Sequence, residues 1–157
     1  MSEARAILVK WMSVTDANNG GSIHGGTVMK LCDEAAGLAA IRHSRQRVVT
    51  AAVDRLTFLH PVYVGDVLTL SASVNAAWRT SMEVGVRVEA ENPFTGETRH
   101  TSSAYLTMVA IDEQGHAKPV PPFVAESPTA QRREREAQVR RATRLAEREQ
   151  LIAERGR

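Results

Sequence analysis

The 157-residue chain predicts an α+β fold, a curved antiparallel sheet wrapped around one central buried helix. Three observations predict it. Three successive segments between residues 66 and 111 alternate apolar and polar residues, the mark of an antiparallel sheet with one covered face. A single segment before them is rich in helix formers and apolar almost all round, which marks a buried helix. Only about 125 residues precede a charged tail, so one helix must cover one sheet. Wrapping the sheet around the helix does this most simply. Such a sheet leaves edges and a partly open core, and a partner copy is expected to cover them.

The elements follow in order. Residues 4 to 12 are short and mixed enough for a first strand. "SVTDANNGGSIHGG" (13 to 26) is loop chemistry, dense in Asn, Asp and Gly. From Val28 to about Ile41 the Ala, Leu and Met content predicts a helix of roughly 14 residues. Its small residues, Ala35, Ala36, Gly37, Ala39 and Ala40, let a sheet approach closely. "VVTAAVDRLTFLHPV" reads as a strand ending near Pro61. "DVLTLSASVNAAW" then places Leu68, Leu70, Ala72, Val74 and Ala76 on one face and Thr69, Ser71, Ser73 and Asn75 on the other. "TSMEVGVRVEA" sets Met82, Val84, Val86 and Val88 against Ser81, Glu83, Gly85 and Arg87. "NPFTG" is a turn, and "TRHTSSAYLTMVAI" alternates through Ala104, Leu106, Met108 and Ala110.

A proline-rich exit, 112 to 128, leads to "TAQRREREAQVRRATRLAEREQLIAERGR". This tail has many helix formers and a sparse apolar stripe, Val139, Ala142, Leu145 and Ala146, with Leu151 and Ile152 further on. It reads as a solvated helix that packs weakly on the body or on a neighbouring subunit. Residues 1–125 thus form the domain and 126–157 a charged helical tail.

Charge follows the same division. The formal net charge is +2, but residues 129 to 157 hold nine arginines against five glutamates, and the body carries −2. The body offers no basic face for nucleic acid. In the tail the arginines are interleaved with glutamates and no aromatic accompanies them. Cys32, the single cysteine, cannot form an internal disulfide and reads as a small buried hydrophobe in a reducing compartment. Charges interrupt every apolar run, so no membrane span is expected. The N-terminus lacks a signal-peptide pattern, and the protein reads as cytoplasmic.

The helix poses a chemical question, because it holds two adjacent acids, Asp33 and Glu34. An unpaired buried carboxylate costs several kcal/mol, so such groups are paired, hydrogen-bonded or functional. The two acids point about 100° apart and cannot face one cavity. Lys30 stands four residues before Glu34, which assigns Glu34 to Lys30 or to solvent. Asp33 is left to explain. Ahead of the helix, Gly25 and Gly26 remove side chains from a helix N-terminus, where free N–H groups stabilise a developing oxyanion. There is no G-x-S-x-G, Cys-x-x-Cys, Walker A or H-E-x-x-H motif. His24, His43, His60, His100 and His116 lack metal-ligand spacing, so no metal and no cofactor is expected. An acid with an oxyanion hole and no embedded nucleophile suits hydrolysis of an activated acyl group, and thioesters fit better than amides.

Three stretches carry a resemblance: "DANNGGSIHGGTVMKLCDEAAGLAA", "VVTAAVDRLTFLHPVYVGD" and "RTSMEVGVRVEAENPFTGE". Over about residues 5 to 122 the chain resembles the hotdog-fold acyl-CoA thioesterases, the bacterial broad-range acyl-CoA hydrolases and the two halves of brain acyl-CoA hydrolase among them. The tail from 129 lies outside the resemblance. The resemblance implies that Asp33 is the catalytic carboxylate and that Asn18, or Asn19 by a slip of one, is its loop asparagine. The two would come from different chains and meet at a dimer interface. It further implies that Gly26 or Gly25 supplies the oxyanion N–H, with His24 beside them at the substrate. Arg79, Thr80 and Ser81 become candidate contacts for CoA. The implied substrate is an acyl-CoA, the implied product a free fatty acid and CoA, and the implied assembly a homodimer within a trimer-of-dimers hexamer. Asp33 would lie buried from its own subunit's solvent, facing a pocket shared with the partner, either as general base or as nucleophile. Two other readings compete: a hotdog enoyl-CoA hydratase, whose "N-P-x-H" context "NPFTG" lacks, and a non-catalytic acyl-CoA sensor.

Overall fold

The computed structural model of the protein describes residues 4–156. In chain order it contains β1 (Arg5–Trp11), a single 3-10 turn (Val14–Asp16), α1 (Gly25–Ser44), β2 (Arg47–Phe58), β3 (Val67–Ala77), β4 (Ser81–Glu91), β5 (Thr98–Ile111) and α2 (Pro128–Arg155). The five strands form one sheet in the order β1-β3-β4-β5-β2, and every neighbouring pair is antiparallel. β1 and β2 are the edges.

α1 lies on the inner face. Val28, Cys32, Ala35, Ala36, Ala39 and Ala40 pack against Leu68, Leu70, Met82, Val84, Leu106 and Met108. The small helix residues bring backbone and sheet close, so the core is dense despite holding few aromatics. The alternation read from β3, β4 and β5 sets this inner face, with one exception. A register shift between Val74 and Ala76 pairs Ala76 with Glu83 on the outer face and returns Ala77 opposite Met82. The extra residue of a bulge reverses the facing of everything beyond it.

α1 is longer than the sequence pattern indicates. It starts at Gly25 rather than Val28 and runs to Ser44, where Arg45 ends it in the left-handed conformation (φ 57°). The glycines read as a loop are its first turn, because the His24 N-cap (φ −57°, ψ 130°) leads straight into them. The helix is also covered on one side only. Gly26, Met29, Lys30, Asp33, Glu34 and Ile41 are exposed, and they form one face at helical spacing. Five strands cannot close around a helix, so this face is left open within the protomer.

The sheet, expected to have one covered face, has two. The proline-rich exit crosses the end of α1, with Pro119 and Pro121 carbonyls accepting from Gln46 Nε2 and meeting His43 Nε2, each at 2.9 Å. It delivers α2 to the outer face. Ser127 caps α2 by accepting from Ala130 N–H at 3.0 Å. Ala137 is fully buried there, and Glu83, read as a solvent-facing residue, is 1% exposed beneath the helix. The tail therefore packs firmly on its own sheet. Among the described residues no helix is long and apolar enough to cross a membrane.

Candidate active site

Asp33 projects from the open face of α1. Far from being buried in its own subunit, it is exposed in the protomer, because that helix face has no sheet opposite it. Thr50 Oγ1 donates a hydrogen bond to Asp33 Oδ1 and lies 3.5 Å from Met108 Sδ. Thr50 pairs with Met108 across β2 and β5, and the ladder shifts register between Thr50 and Ala52. Thr50 faces the helix side by ordinary alternation, as Val48 does opposite Ala110, and the irregularity lies just beyond it. Sequence reading missed Thr50. Its only signal was a hydroxyl in an otherwise apolar run, which many strands contain.

Gly25 and Gly26 occupy the first two positions of α1. Their N–H groups have no acceptor among the described residues, and the His24 side chain makes no capping bond. His24 is exposed. Its backbone alone is engaged, N–H to Asp16 O at 2.9 Å and carbonyl from Thr27 N–H at 3.0 Å. A methyl at Gly25 would meet Phe58 Cζ at 3.4 Å, whereas nothing stands within 4 Å of one at Gly26. Beside these amides opens a cleft of about 340 Å³, lined by Ile23, Gly25, Val28, Phe58, Leu59 and Val62. Its walls are mixed, because Ser22 and His60 line it together with these apolar side chains.

Asn18 is half-buried in the preceding loop. Its Oδ1 accepts from Gly20 N–H at 2.8 Å and its Nδ2 donates to Ser22 Oγ at 3.1 Å, leaving the second amide hydrogen free. Asn19 is exposed. Arg79, Thr80 and Ser81 form the β3–β4 turn, where the Arg79 and Thr80 carbonyls accept from Val120 and Ala110, each at 3.0 Å. The turn lies at the Thr50 end of the sheet, since Met82 pairs with Met108 and Met108 with Thr50. Two strand spacings, about 10 Å, separate it from Thr50.

Within one protomer, then, Asp33 and Thr50 come together, and Gly25, Gly26 and the cleft come together, but the two groups do not. Gly26 and Asp33 are seven residues apart, which is about 10 Å along the helix and about 20° from the same direction around it. One carbonyl cannot accept from Gly26 and lie in reach of Asp33 in the same chain. Glu34 forms no ion pair with Lys30 and faces solvent, the second of its two expected fates. Cys32 is buried beside Asp33. Burial and then the Asp33 charge push its thiol up to about 12, so it is no nucleophile at neutral pH. Among the described residues no group of three or more His, Cys, Asp or Glu is placed to hold a metal ion.

This geometry has close counterparts. The thioesterase superfamily model matches residues 20–96. The VdlD protein of Helicobacter pylori is 40% identical over 118 residues, which cover 74% of this chain and 67% of VdlD. A solved apo-hexameric acyl-CoA thioesterase is 39% identical with a TM-score of 0.89, over 92% of this chain and 93% of that one. The acyl-CoA hydrolase of Staphylococcus aureus, solved with butyryl coenzyme A, coenzyme A and coenzyme A disulfide, is 32% identical with a TM-score of 0.86. It matches 100% of this chain and 98% of its own, so the likeness runs through α2, beyond the limit near residue 122 that the sequence motifs set. The same enzyme has been solved with alanine in place of an aspartate, of an asparagine fifteen residues before it and of a threonine seventeen residues after it. The chain belongs to the thioesterase superfamily, and within it to the hotdog-fold acyl-CoA thioester hydrolases.

Proposed function

We propose that the protein hydrolyses fatty acyl-CoA to free fatty acid and CoA at two equivalent sites per homodimer. Each site takes Asp33 and Thr50 from one protomer and Asn18, Gly25 and Gly26 from the other. The observation that carries this reading is the placement of Gly26 and Asp33, seven residues apart on the one face of α1 that its own sheet leaves open. Two copies of α1 laid antiparallel about a dyad midway between these residues bring Gly26 of each opposite Asp33 of the other. Exposed Val49, Val53 and Phe58 along edge strand β2 give the second copy an apolar seam to join. The spacing of Asn18, Asp33 and Thr50, fifteen and then seventeen residues, equals that of the three positions replaced in the Staphylococcus aureus enzyme, which supports their assignment.

The chemistry follows from the groups. The thioester carbonyl oxygen accepts from the free amides at the start of α1, with the helix's positive end behind them. Thr50 holds the Asp33 carboxylate by one oxygen and leaves the other for work. That oxygen either takes a proton from water as the water oxygen adds to the carbonyl carbon, or adds itself to give an anhydride that water then opens. Collapse breaks the C–S bond, and the CoA sulfur leaves as thiolate and takes up a proton. The free amide hydrogen of Asn18 orients the water or the carbonyl. The cleft beside Gly25 takes an uncharged part of the substrate against Ile23, Val28, Phe58 and Val62, His24 stands next to it before the first turn of α1, and Arg79, Thr80 and Ser81 take the CoA end. Residues 1–125 suffice for this site, and 126–157 are an added helix. Dimers associate as a trimer of dimers, and the enzyme works in the cytoplasm, where its free thiol stays reduced.

Complementation tests the split site. Asp33→Asn and Asn18→Ala should each be nearly inactive as homodimers. A mixed dimer puts both lesions in one site and leaves the other intact, so subunit exchange should restore part of the activity. No recovery after exchange is confirmed by sedimentation and mass would refute the split site.

A further inference from the structure

α2 crosses the outer face of the sheet in a definite direction. Gln138 accepts from Trp78 Nε1 at 3.1 Å, and the Arg141 guanidinium lies 4.4 Å from the centre of the Trp78 ring, at the end of β3. Arg140 binds Glu83 on β4 and stacks on Tyr105 of β5, 3.7 Å from the ring centre. Arg144 reaches Asp54 on β2 at 2.7 Å. The sheet order is β1-β3-β4-β5-β2, so these contacts carry the helix from β3, next to the β1 edge, to the β2 edge. Among the described residues Arg144 forms the last ion pair of α2 with the body. α2 continues to Arg155, and none of residues 145–155 is buried. These three turns extend about 16 Å past Arg144.

This overhang is not a uniformly polar tail. Leu145, Leu151 and Ile152 are 43%, 48% and 58% exposed. Leu151 stands seven residues after Arg144 and fourteen after Ala137, so it continues the stripe that packs on the sheet, at the point where the chain's own sheet has ended. Glu147, Arg148, Glu149, Glu154 and Arg155 surround these residues with mixed charge close to neutral. Two such segments laid antiparallel can pair opposite signs and do not repel.

We infer that the last three turns of α2 pack against the outer face and the α2 helix of a second copy of this chain, clasping the dimer across the β2 edges on the side of the sheet opposite the active sites. The inference rests on the proposed dimer, since the second copy that β2 invites is the one the overhang reaches. The clasp assigns the tail a function that neither its charge nor its distance from Asp33 suggests: it tightens the dimer without touching substrate.

Single cysteines at Arg148, Leu151 and Ile152, each in the native background, test it. Cys32 stays silent because it is buried and its thiol is held in the neutral form. Under mild oxidation at a concentration where sedimentation reports dimers, at least one of Arg148→Cys, Leu151→Cys and Ile152→Cys should give a covalent pair on a non-reducing gel. Thr129→Cys, at the far end of α2, should not. The double variant Leu151→Asp, Ile152→Asp should raise the dimer dissociation constant by about tenfold or more with kcat per intact dimer unchanged. A dimer that forms normally in the double variant and gives no crosslink at any of the three positions overturns the clasp while leaving the split site standing. Crosslinks that form only at concentrations where larger assemblies appear assign the overhang to a contact between dimers and also overturn it. A protein that stays monomeric while active overturns the clasp and the split site together.

Discussion

Arg140 of α2 holds Glu83 of β4 from the far side of the sheet, with Nη2 at 2.6 Å from Oε1 and Nε at 3.2 and 3.1 Å from Oε1 and Oε2. Asn75 Nδ2 supports the same carboxylate at 3.1 Å. Burial alone would lower the Arg140 pKa, but the hydrogen bonds and charge of Glu83 outweigh it and raise the pKa. Removing one partner of such a pair leaves a buried charge uncompensated, at about 3 kcal/mol. Arg140→Met should therefore lower the melting temperature by roughly 6–12 °C for a chain of this size. Replacing both, Glu83→Leu with Arg140→Met, should recover much of the loss. Calorimetry of the three variants checks this, and equal melting temperatures for all three would mean that the pair contributes nothing.

Thr50 touches no substrate in the proposed site and acts through Asp33. Thr50→Val keeps the shape and removes the hydroxyl, freeing the carboxylate to rotate. The expected loss is in kcat, up to about 10²-fold for a misplaced catalytic group, with KM nearly unchanged. Thr50→Ser should restore most of it. A purely structural role predicts instead a lower melting temperature with kcat intact. For Asp33→Asn the expected loss is about 10²–10⁴ in kcat, the range for removing general acid–base help.

Gly26→Ala separates stability from function. Gly26 lies inside a helix with a right-handed backbone and has nothing within 4 Å of an added methyl. Alanine there should stabilise the protomer by about 0.4–1 kcal/mol. The same methyl occupies the space a carbonyl needs to reach the helix amides. A variant with an unchanged or higher melting temperature and much reduced kcat is expected. Full activity in Gly26→Ala would remove Gly26 from the oxyanion site.

Cys32 should ignore thiol reagents in the native state. With its thiol pushed up to about 12, thiolate is on the order of one part in 10⁴ at pH 8, and burial blocks access as well. A chromogenic disulfide reagent should titrate no cysteine in native protein and one per chain in denaturant. Fast native labelling would mean that α1 opens away from the sheet.

The helix and the strands were legible from the chain because each carries its own period. Leu68, Leu70, Ala72 and Val74 recur every second residue, and Val28, Cys32, Ala35, Ala36 and Ala39 recur at helical spacing. Those are local signals. Thr50 was not legible, because its hydrogen bond to Asp33 depends on which strand packs beside that turn of α1, and a lone hydroxyl in an apolar strand carries no such signal. The firm seat of α2 was also hidden. An Arg-Glu run looks the same whether solvated or paired, and Glu83 lies 57 residues before Arg140.

Strands and helices, the place of Asp33 in an apolar helix behind a glycine-rich start, and the thioesterase resemblance were all written along the chain. Side-chain period, backbone propensity and short-range spacing act over a few residues, so they can be read along the line of the chain. Packing settled the rest: which side of α1 stays open, that Asp33 and Gly26 share that side yet stand about 10 Å apart, that Thr50 holds Asp33, and that α2 covers the outer face. Each of these depends on which distant elements meet, and that is set by the packing of one whole sheet against one helix.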